Sequence, residues 1–497
     1  MSSVHPFYTY FWIMLSCLCS VSAELVNQKF PDNFMFGAVT SAYQCEGGWN
    51  EGGRGESMWD HSLQENPDYI QDKTNGSIAS DSYHKWREDV RLLKGLNAQF
   101  YRFSISWSRV LPSGYRGSKV NEEGVQYYNN LINELLAANV KPFVTIYHWD
   151  LPQVLNERGG WLNSSIVDDF VYYSKTLFEL FGDRVKHWIT VNEIFQICQT
   201  SYAYGVFAPF MKLPYYGGYQ CTHNVLLAHG KTYKLYERQF KPKQKGEISL
   251  TVQSFWCEPE TDSQEDKEAS ERFLEFNIGW FLHPIYKGNY PPSVIDKINE
   301  LNQRSENAES MIPFFTSDEI DIIKGTMDFF GLNHYTTMTC TTDENSTVLP
   351  YFHSDAGVRV NIMEGKDSVV DIMRDVPWGL RKVLVWIKKT YNNPTVIITE
   401  NGWPSSGIDL EDTDRVNYHK GYLAEVLKAI YLDGCNVVGY TAWSLIDLFE
   451  WSSGYKLHFG LVYVDFNSKN RTRIPRRSYY EYKNIVTSRQ ISTNNSL

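Results

Sequence analysis

The chain has 497 residues, 42% hydrophobic and 21% charged, with 47 Lys and Arg against 58 Asp and Glu, for a formal net charge of −11. That composition can fill a large core and excludes global disorder. The acidic balance, with no basic block, excludes a nucleic-acid surface. Aromatic residues reach 15%, including 15 Trp and 33 Tyr, which suits both a big core and the stacking of sugar C–H faces on flat rings. The short cluster Arg473, Arg476 and Arg477 is expected on a solvated face.

Residues 1–23 read as a secretory signal peptide. Residues 7–21 are apolar and aromatic, and Val21-Ser22-Ala23 has the small residues of a cleavage site. The segment departs from the usual pattern in having no Lys or Arg before the apolar run. No later stretch is long and apolar enough to span a bilayer, so a secreted, extracellular protein without a stable membrane anchor is expected. Five Asn-x-Ser/Thr sequons, at Asn75, Asn163, Asn345, Asn470 and Asn494, are candidate glycosylation sites. Six cysteines follow the signal segment: Cys45, Cys198, Cys221, Cys257, Cys340 and Cys435. They include no CxxC pair, which argues against a zinc site. One or two disulfides are open to them, with Cys198 and Cys221 nearest in sequence.

From 24 to 486 the chain reads as one domain, followed by a polar tail at 487–497. Strand-like runs fall at 34–38, 99–104, 142–147, 187–191, 247–252, 327–332, 395–399 and 437–442. Helical patterns lie between them at 81–93, 124–138, 166–181, 224–240, 268–281, 317–325 and 414–432; the second shows Val125, Tyr128, Leu131, Ile132, Leu135 and Leu136 at helical spacing. Alternation of strand and helix implies a parallel sheet covered by helices, and eight strands is the number that closes an α/β (β/α)8 TIM barrel. An open doubly wound sheet carries a Gly-rich loop after its first strand, whereas this chain has Thr40-Ser41-Ala42-Tyr43-Gln44 there. Long insertions at 48–80, 203–218 and 336–376 follow strands and are expected to rim the barrel mouth.

Two glutamates stand at strand ends: Glu193 closes Ile189-Thr190-Val191-Asn192-Glu193, and Glu400 lies in Ile397-Ile398-Thr399-Glu400-Asn401-Gly402. Carboxylates at the C-terminal ends of barrel strands point into the mouth where such barrels do chemistry. A pair of them suits cleavage of a glycosidic bond, one giving a proton and the other attacking or activating water.

An ordered series of motifs then resembles glycoside hydrolase family 1, the β-glucosidase family, along nearly the whole mature length. It runs through Phe36-Gly37, Trp49-Asn50-Glu51, Tyr101-Arg102-Phe103-Ser104, Tyr147-His148-Trp149-Asp150, Thr399-Glu400-Asn401-Gly402, Trp443-Ser444-Leu445-Ile446-Asp447 and Phe449-Glu450-Trp451. The resemblance implies Glu400 as nucleophile and Glu193 as acid/base of a retaining mechanism. It implies Arg102, Asn333 and Tyr335 as supports of the nucleophile, and Gln44, His148, Asn192, Tyr335, Trp443, Glu450 and Trp451 as ligands of a small-molecule β-glucoside. No cofactor and no metal are expected, and nothing sets an oligomeric state.

Three departures stand out. Asn-Glu-Pro of the family reads Asn192-Glu193-Ile194, which is expected to free the backbone after the acid. Leu448 replaces a polar support, and Cys45 replaces Ile as a small buried hydrophobe. The expected function is a secreted retaining β-glucosidase. The alternative is a thioglucosidase (myrosinase) hydrolysing glucosinolates, although Glu193 departs from the Gln of plant myrosinases, and insect-like wording around Val376–Lys382 is compatible with either. A non-catalytic sugar-binding relative is disfavoured because both carboxylates are present.

Overall fold

Eight short runs rich in β-branched and aromatic residues lie side by side in parallel, and the last closes on the first. The computed structural model describes residues 28–214, 216–304, 312–343 and 355–491. Its barrel strands are β1 Met35–Val39, β2 Phe100–Ser104, β3 Lys141–Tyr147, β4 His187–Asn192, β5 Glu247–Gln253, β6 Phe330–Asn333, β7 Val396–Asn401 and β8 Val437–Trp443. Around the closed barrel the order is β1-β8-β7-β6-β5-β4-β3-β2. Each strand expected from the sequence is present, the largest shift being β6, which starts at Phe330 rather than 327.

Helices α1 Ser82–Gly95, α2 Glu122–Ala137, α3 Ile166–Phe181, α4 Gly217–Leu235, α5 Gln264–Leu274, α6 Trp378–Thr390, α7 Thr413–Tyr431 and α8 Arg477–Ser488 accompany the strands. Acidic first turns, Glu122 and Glu123 in α2 and Asp168 and Asp169 in α3, complement the partial positive charge of a helix N-terminus. The helix α6 has no counterpart in the sequence reading, although Leu380, Val383, Leu384 and Ile387 bury a stripe at helical spacing. The tail expected from 487 begins later: α8 runs to Ser488 and Ile491 is buried.

Period-two alternation along the strands sorts the barrel interior into layers. At the N-terminal ends Phe100, Phe143, Ile189, Phe329 and Ile397 pack as one apolar floor. Two residues further along three of these strands stand Arg102, Thr145 and Thr399, which hydrogen-bond with one another and with the mouth. The floor fills this end of the barrel with apolar side chains, each contributing about 1.5–3 kcal/mol when buried, and the polar cluster around Arg102 stands above it.

Two disulfides tie the mouth loops. Cys198–Cys221 joins the π-helical turn after β4 to α4, with Cα atoms 5.3 Å apart, and Cys257–Cys340 joins the segment after β5 to the segment after β6, at 5.5 Å. The second lies in a small sheet of Trp256–Pro259, Thr337–Thr342 and Val358–Ile362 built on those loops. Cys45 is free and buried, as its expected role as a small hydrophobe requires.

The solvated face expected for the arginine cluster is corrected for two of its members. Arg473 is buried against Asp89, and Arg476 is buried in a two-pronged ion pair with Asp447 at 2.9 Å on both arms. Asp447 also accepts from the backbone N–H of Gly460 and Val464 and pairs with His458, so it pins the loop between Trp443 and Trp451. Among the described residues no helix is long and apolar enough to cross a membrane. Of the sequons, Asn163 and Asn470 are exposed and Asn75 is half-buried, while Asn345 and Asn494, like the segment 1–23, lie outside the described residues.

Burial alone would raise the Asp447 carboxyl, but the Arg476 guanidinium and His458 outweigh it and hold it at about 2. A depressed folded-state value stabilises the protein above the unfolded value near 4 and the contribution is lost as pH falls through about 2. Asp447→Asn leaves Arg476 buried without a counter-charge and is expected to cost about 3–5 kcal/mol in urea unfolding at neutral pH. The gap from the native chain should narrow as pH falls below about 4; a gap that does not change with pH would reject this assignment.

Candidate active site

Arg102 enters the barrel from the middle of β2 and is 1% exposed. Its Nε donates to Thr145 Oγ1 at 3.0 Å. One Nη1 donates to the Thr399 carbonyl at 3.0 Å and to Glu400 Oε1 at 2.7 Å, and Nη2 donates to Asn192 Oδ1 at 2.5 Å. Tyr335, two residues past β6, donates its hydroxyl to the other Glu400 oxygen at 2.6 Å. Glu400 thus receives one charged and one neutral donor.

Glu193 sits one residue beyond β4 and is 3% exposed. Its backbone is left-handed, φ +53°, a conformation that costs a non-glycine residue about 1–2 kcal/mol. The backbone N–H bonded to the Thr251 carbonyl at 2.9 Å and the carbonyl accepting from Ile197 at 3.1 Å hold it there. Ile194 follows, fully buried, as the chain turns helical. The expected freeing of the backbone by loss of proline is therefore corrected: at the first helical position the N–H is dispensable, and the flanking bonds and burial fix the chain without a ring. Trp149 and Trp451, both lining the mouth, are likewise left-handed, at φ +73° and +44°. Such outliers cluster where a rigid surround over-determines them.

Asn333, the last residue of β6, was expected beside the nucleophile. Its amide donates instead to Glu193 Oε1 at 2.5 Å and to Asn192 Oδ1 at 3.2 Å, while Thr399 Oγ1 donates to its Oδ1 at 2.7 Å. It also helps stabilise the Glu400 carboxylate, so it serves both carboxylates. The unbroken path Glu193–Asn333–Asn192–Arg102–Glu400 connects the two acids through side chains alone.

The electrostatics of the pair are unequal. Burial, then the charge of Glu400, push Glu193 well above the usual carboxylate range. Burial lifts Glu400 too, but the Arg102 guanidinium and the Tyr335 hydroxyl pull it back. Glu400 stays raised, but less than Glu193, so the pair favours a proton on Glu193 and an ionised Glu400. Glu450 is raised to about 8 by burial and by Glu400, partly offset by a hydrogen bond from Trp443, and its Oε2 has no hydrogen-bond partner among the described residues. A buried acceptor of that kind is costly unless a ligand hydroxyl meets it.

Both acids open into a cavity of about 300 Å³ whose wall includes His148, Tyr335, Trp443, Glu450 and Trp451. Trp443 and Trp451 both lie near-parallel to the His148 ring, at 6.1 and 6.2 Å. Burial and Arg102 hold His148 neutral, and Asn192 Nδ2 lies 3.2 Å from its Nε2, which puts the imidazole proton on Nδ1. Two expected ligands are not on the wall. Gln44 donates to the Phe449 carbonyl at 2.9 Å and accepts from Ser41 at 2.6 Å, bracing the residue before Glu450. Asn192 spends its oxygen on Arg102 and Asn333.

The sequence reading missed Gln196, Gln253, Phe255, Val370, Met373 and Phe459 on the same wall. Gln253 closes β5 and Phe255 follows it, so the strand-end rule that found Glu193 and Glu400 could have found them. Gln196 opens the π-helical turn after Glu193, and Val370, Met373 and Phe459 ride on loops with no periodic signal. The insertions 203–218 and 336–376 reach the cavity through Phe207 and Val370. The insertion 48–80 supports that wall: Trp59 packs 4.8 Å from Trp451, and the Gln71 N–H donates to the carbonyl of Ser452. Among the described residues no cluster of three or more His, Cys, Asp or Glu could hold a metal ion.

A family model described as Glycosyl hydrolase family 1 matches residues 26–491. Myrosinase 1 of Brevicoryne brassicae is 47% identical over 466 residues, covering 93% of this chain and 99% of that protein. Among solved structures, aphid myrosinase superposes with a TM-score of 0.89 at 47% identity, covering 93% of this chain and 99% of the other. A β-glucosidase from the fungus Humicola insolens, in complex with glucose, gives 0.87 at 35% identity, covering 94% and 100%.

The coupling of the two acids has a direct readout. Glu400→Gln removes the neighbouring charge, so Glu193 should titrate at lower pH in the variant, followed by carboxyl 13C NMR of glutamate-labelled protein. A Glu193 titration that does not move would mean that Glu400 is not the charge that lifts it.

Proposed function

This chain belongs to glycosyl hydrolase family 1, and within that family of glycoside hydrolases we propose that it is a secreted retaining β-glucosidase acting on β-D-glucosides with neutral, apolar aglycones. What supports this reading is the placement of two buried carboxylates at the ends of β4 and β7, Glu400 bound by Arg102 at 2.7 Å and Tyr335 at 2.6 Å and Glu193 by Asn333, an arrangement that favours an ionised Glu400 beside a protonated Glu193. Retaining enzymes hold their carboxyl groups about 5 Å apart, close enough for one charge to lift the other, and the charge of Glu400 is among the causes that raise Glu193.

In the proposed reaction a Glu400 oxygen attacks the anomeric carbon while the Glu193 proton passes to the glycosidic oxygen, and the aglycone leaves as an alcohol. Glu400 loses its charge in the resulting ester. The main electrostatic lift on Glu193 then disappears, its carboxylate is stabilised, and it takes a proton from the water that attacks the same carbon. Glucose departs with its β configuration retained. Asn333 assists the second step, since its amide N–H favours the Glu193 carboxylate that acts there as base. Arg102 and Tyr335 act as positioning groups that keep Glu400 ionised. His148, Glu450, Trp443 and Trp451 would grip the sugar, the indoles against its C–H face and Glu450 Oε2 on its hydroxyls.

The outer cavity supports an uncharged aglycone. Phe207, Phe255, Val370, Met373, Leu457 and Phe459 line it, and no Lys or Arg does among the described residues. A second reading, thioglucosidase, is favoured by the 47% identity to the aphid protein whose name is Myrosinase 1. Glucosinolates carry a sulfate, however, and an anion desolvated against apolar walls without a cation is penalised. Secretion is supported by the signal-like segment 1–23 and by two disulfides, which form in oxidising compartments.

The test is hydrolysis of an aryl β-D-glucoside and a glucosinolate by the protein lacking residues 1–23. The O-glucoside should be turned over and preferred, with Glu400→Gln abolishing turnover; preference for the glucosinolate would move the assignment to thioglucosidase. Tyr335→Phe removes a neutral donor to a carboxylate and should lower kcat/KM roughly 10- to 100-fold. Because that bond favours the ionised form, its loss raises the Glu400 pKa, so the acidic limb of the kcat/KM profile should move to higher pH. An unmoved limb would separate Tyr335 from Glu400.

A further inference from the structure

One side of the cavity, whose wall also carries Thr336, Ser452 and Ser453 among largely apolar side chains, holds a short polar relay. Gln196 lies three residues after Glu193, on the π-helical turn Gln196–Ala203, and Gln253 is the last residue of β5, paired in register with Asn333. Both line the cavity. Thr200 Oγ1 donates to Gln196 Oε1 at 2.6 Å, and Gln196 Nε2 donates to Gln253 Oε1 at 2.6 Å. The relay fixes both amides and runs in one direction. It engages the amide oxygens and leaves the Gln253 Nε2 donors at its open end without a hydrogen-bond partner among the described residues.

Amide donors on an apolar wall are a liability for a ligand that cannot use them, because their water must be stripped without replacement. They are a gain for one that offers an acceptor. The relay also stands beside the acid: Gln196 shares the turn that begins at Glu193, and the register partner of Gln253 donates to Glu193. A group bonded there belongs to the part of the aglycone nearest the glycosidic oxygen.

Resting on the β-glucosidase reading above, we infer that Gln253, oriented by Gln196, is a specificity-determining residue that donates a hydrogen bond to an oxygen or nitrogen acceptor on the first ring or carbon unit of the aglycone. The preferred substrates are therefore glucosides whose aglycone is apolar in body and bears one acceptor close to the scissile bond. A purely hydrocarbon aglycone leaves the relay unpaired, and a second charged group meets no counter-charge.

The experiment compares isosteric pairs: 2-(hydroxymethyl)phenyl against 2-ethylphenyl β-D-glucoside, and the corresponding 3-substituted pair, with native protein, Gln253→Leu and Gln196→Leu. The readout is the ratio of kcat/KM, hydroxymethyl over ethyl. A merely structural role scales both members of a pair alike and leaves the ratio unmoved. The native ratio should be roughly 5–10 for at least one pair, the value of one neutral hydrogen bond, and should fall to about 1 in Gln253→Leu and part of the way in Gln196→Leu. A native ratio near 1 for both pairs overturns the inference without needing any variant to fold, as does a ratio that Gln253→Leu leaves unchanged. Failure of the parent reading looks different: native protein would hydrolyse none of the four glucosides, and both proposals would fall together.

Discussion

A guanidinium buried to 1% exposure at the centre of a barrel has to be answered on every side, because desolvating it costs several kcal/mol that only charge and hydrogen bonds can return. Arg102 meets that demand with acceptors from three strands: Thr145 on β3, Asn192 on β4, and the Thr399 carbonyl and Glu400 carboxylate on β7. The consequence is electrostatic order. Glu400 must be ionised to satisfy Arg102, an ionised Glu400 lifts Glu193, and Glu193 holds its proton. The division of labour proposed for the two acids follows from one buried cation, without a special environment for each.

The rest of the molecule serves that arrangement. An apolar floor of Phe100, Phe143, Ile189, Phe329 and Ile397 closes the barrel below the polar layer. Above it, Asp447 and Arg476 pin the loop that carries Trp443, Glu450 and Trp451, and the two disulfides fasten the loops that follow β4, β5 and β6. The sugar end of the cavity is thus held by strand ends and buried ion pairs. The outer end, proposed to take the aglycone, combines loop residues such as Val370 and Met373, in the insertion that follows β6, with Gln253 at the end of β5. That split lets the reaction centre stay constant while substrate choice varies.

Much of this was legible in the sequence where a side chain's job is set by local pattern. All eight strands could be read from apolar and β-branched runs, and Glu193 and Glu400 from their position at strand ends. What escaped was fixed by contacts distant in sequence. Asn333 serves Glu193 as well as Glu400 because Thr399, 66 residues on, orients its amide. Arg473 and Arg476 looked like surface charge because Asp89 and Asp447, their buried partners, are not recognisable as such one at a time. Gln44, expected as a sugar ligand, also braces the Phe449 carbonyl and accepts from Ser41, contacts with no signature in the sequence. The α6 stripe was readable in principle, but it adjoins a long insertion whose polar sequence drew the boundary away from it.

The account stands most directly on which carboxylate becomes covalently attached to sugar. Incubation with 2,4-dinitrophenyl 2-deoxy-2-fluoro-β-D-glucoside, whose fluorine slows breakdown of a glycosyl ester, followed by proteolysis and tandem mass spectrometry of the labelled peptide, locates that attachment. The adduct is predicted on Glu400, in the peptide spanning β7, with loss of activity in step with labelling. An adduct on Glu193, or steady turnover of substrate with no adduct on either acid, would contradict the electrostatic assignment on which the mechanism is built.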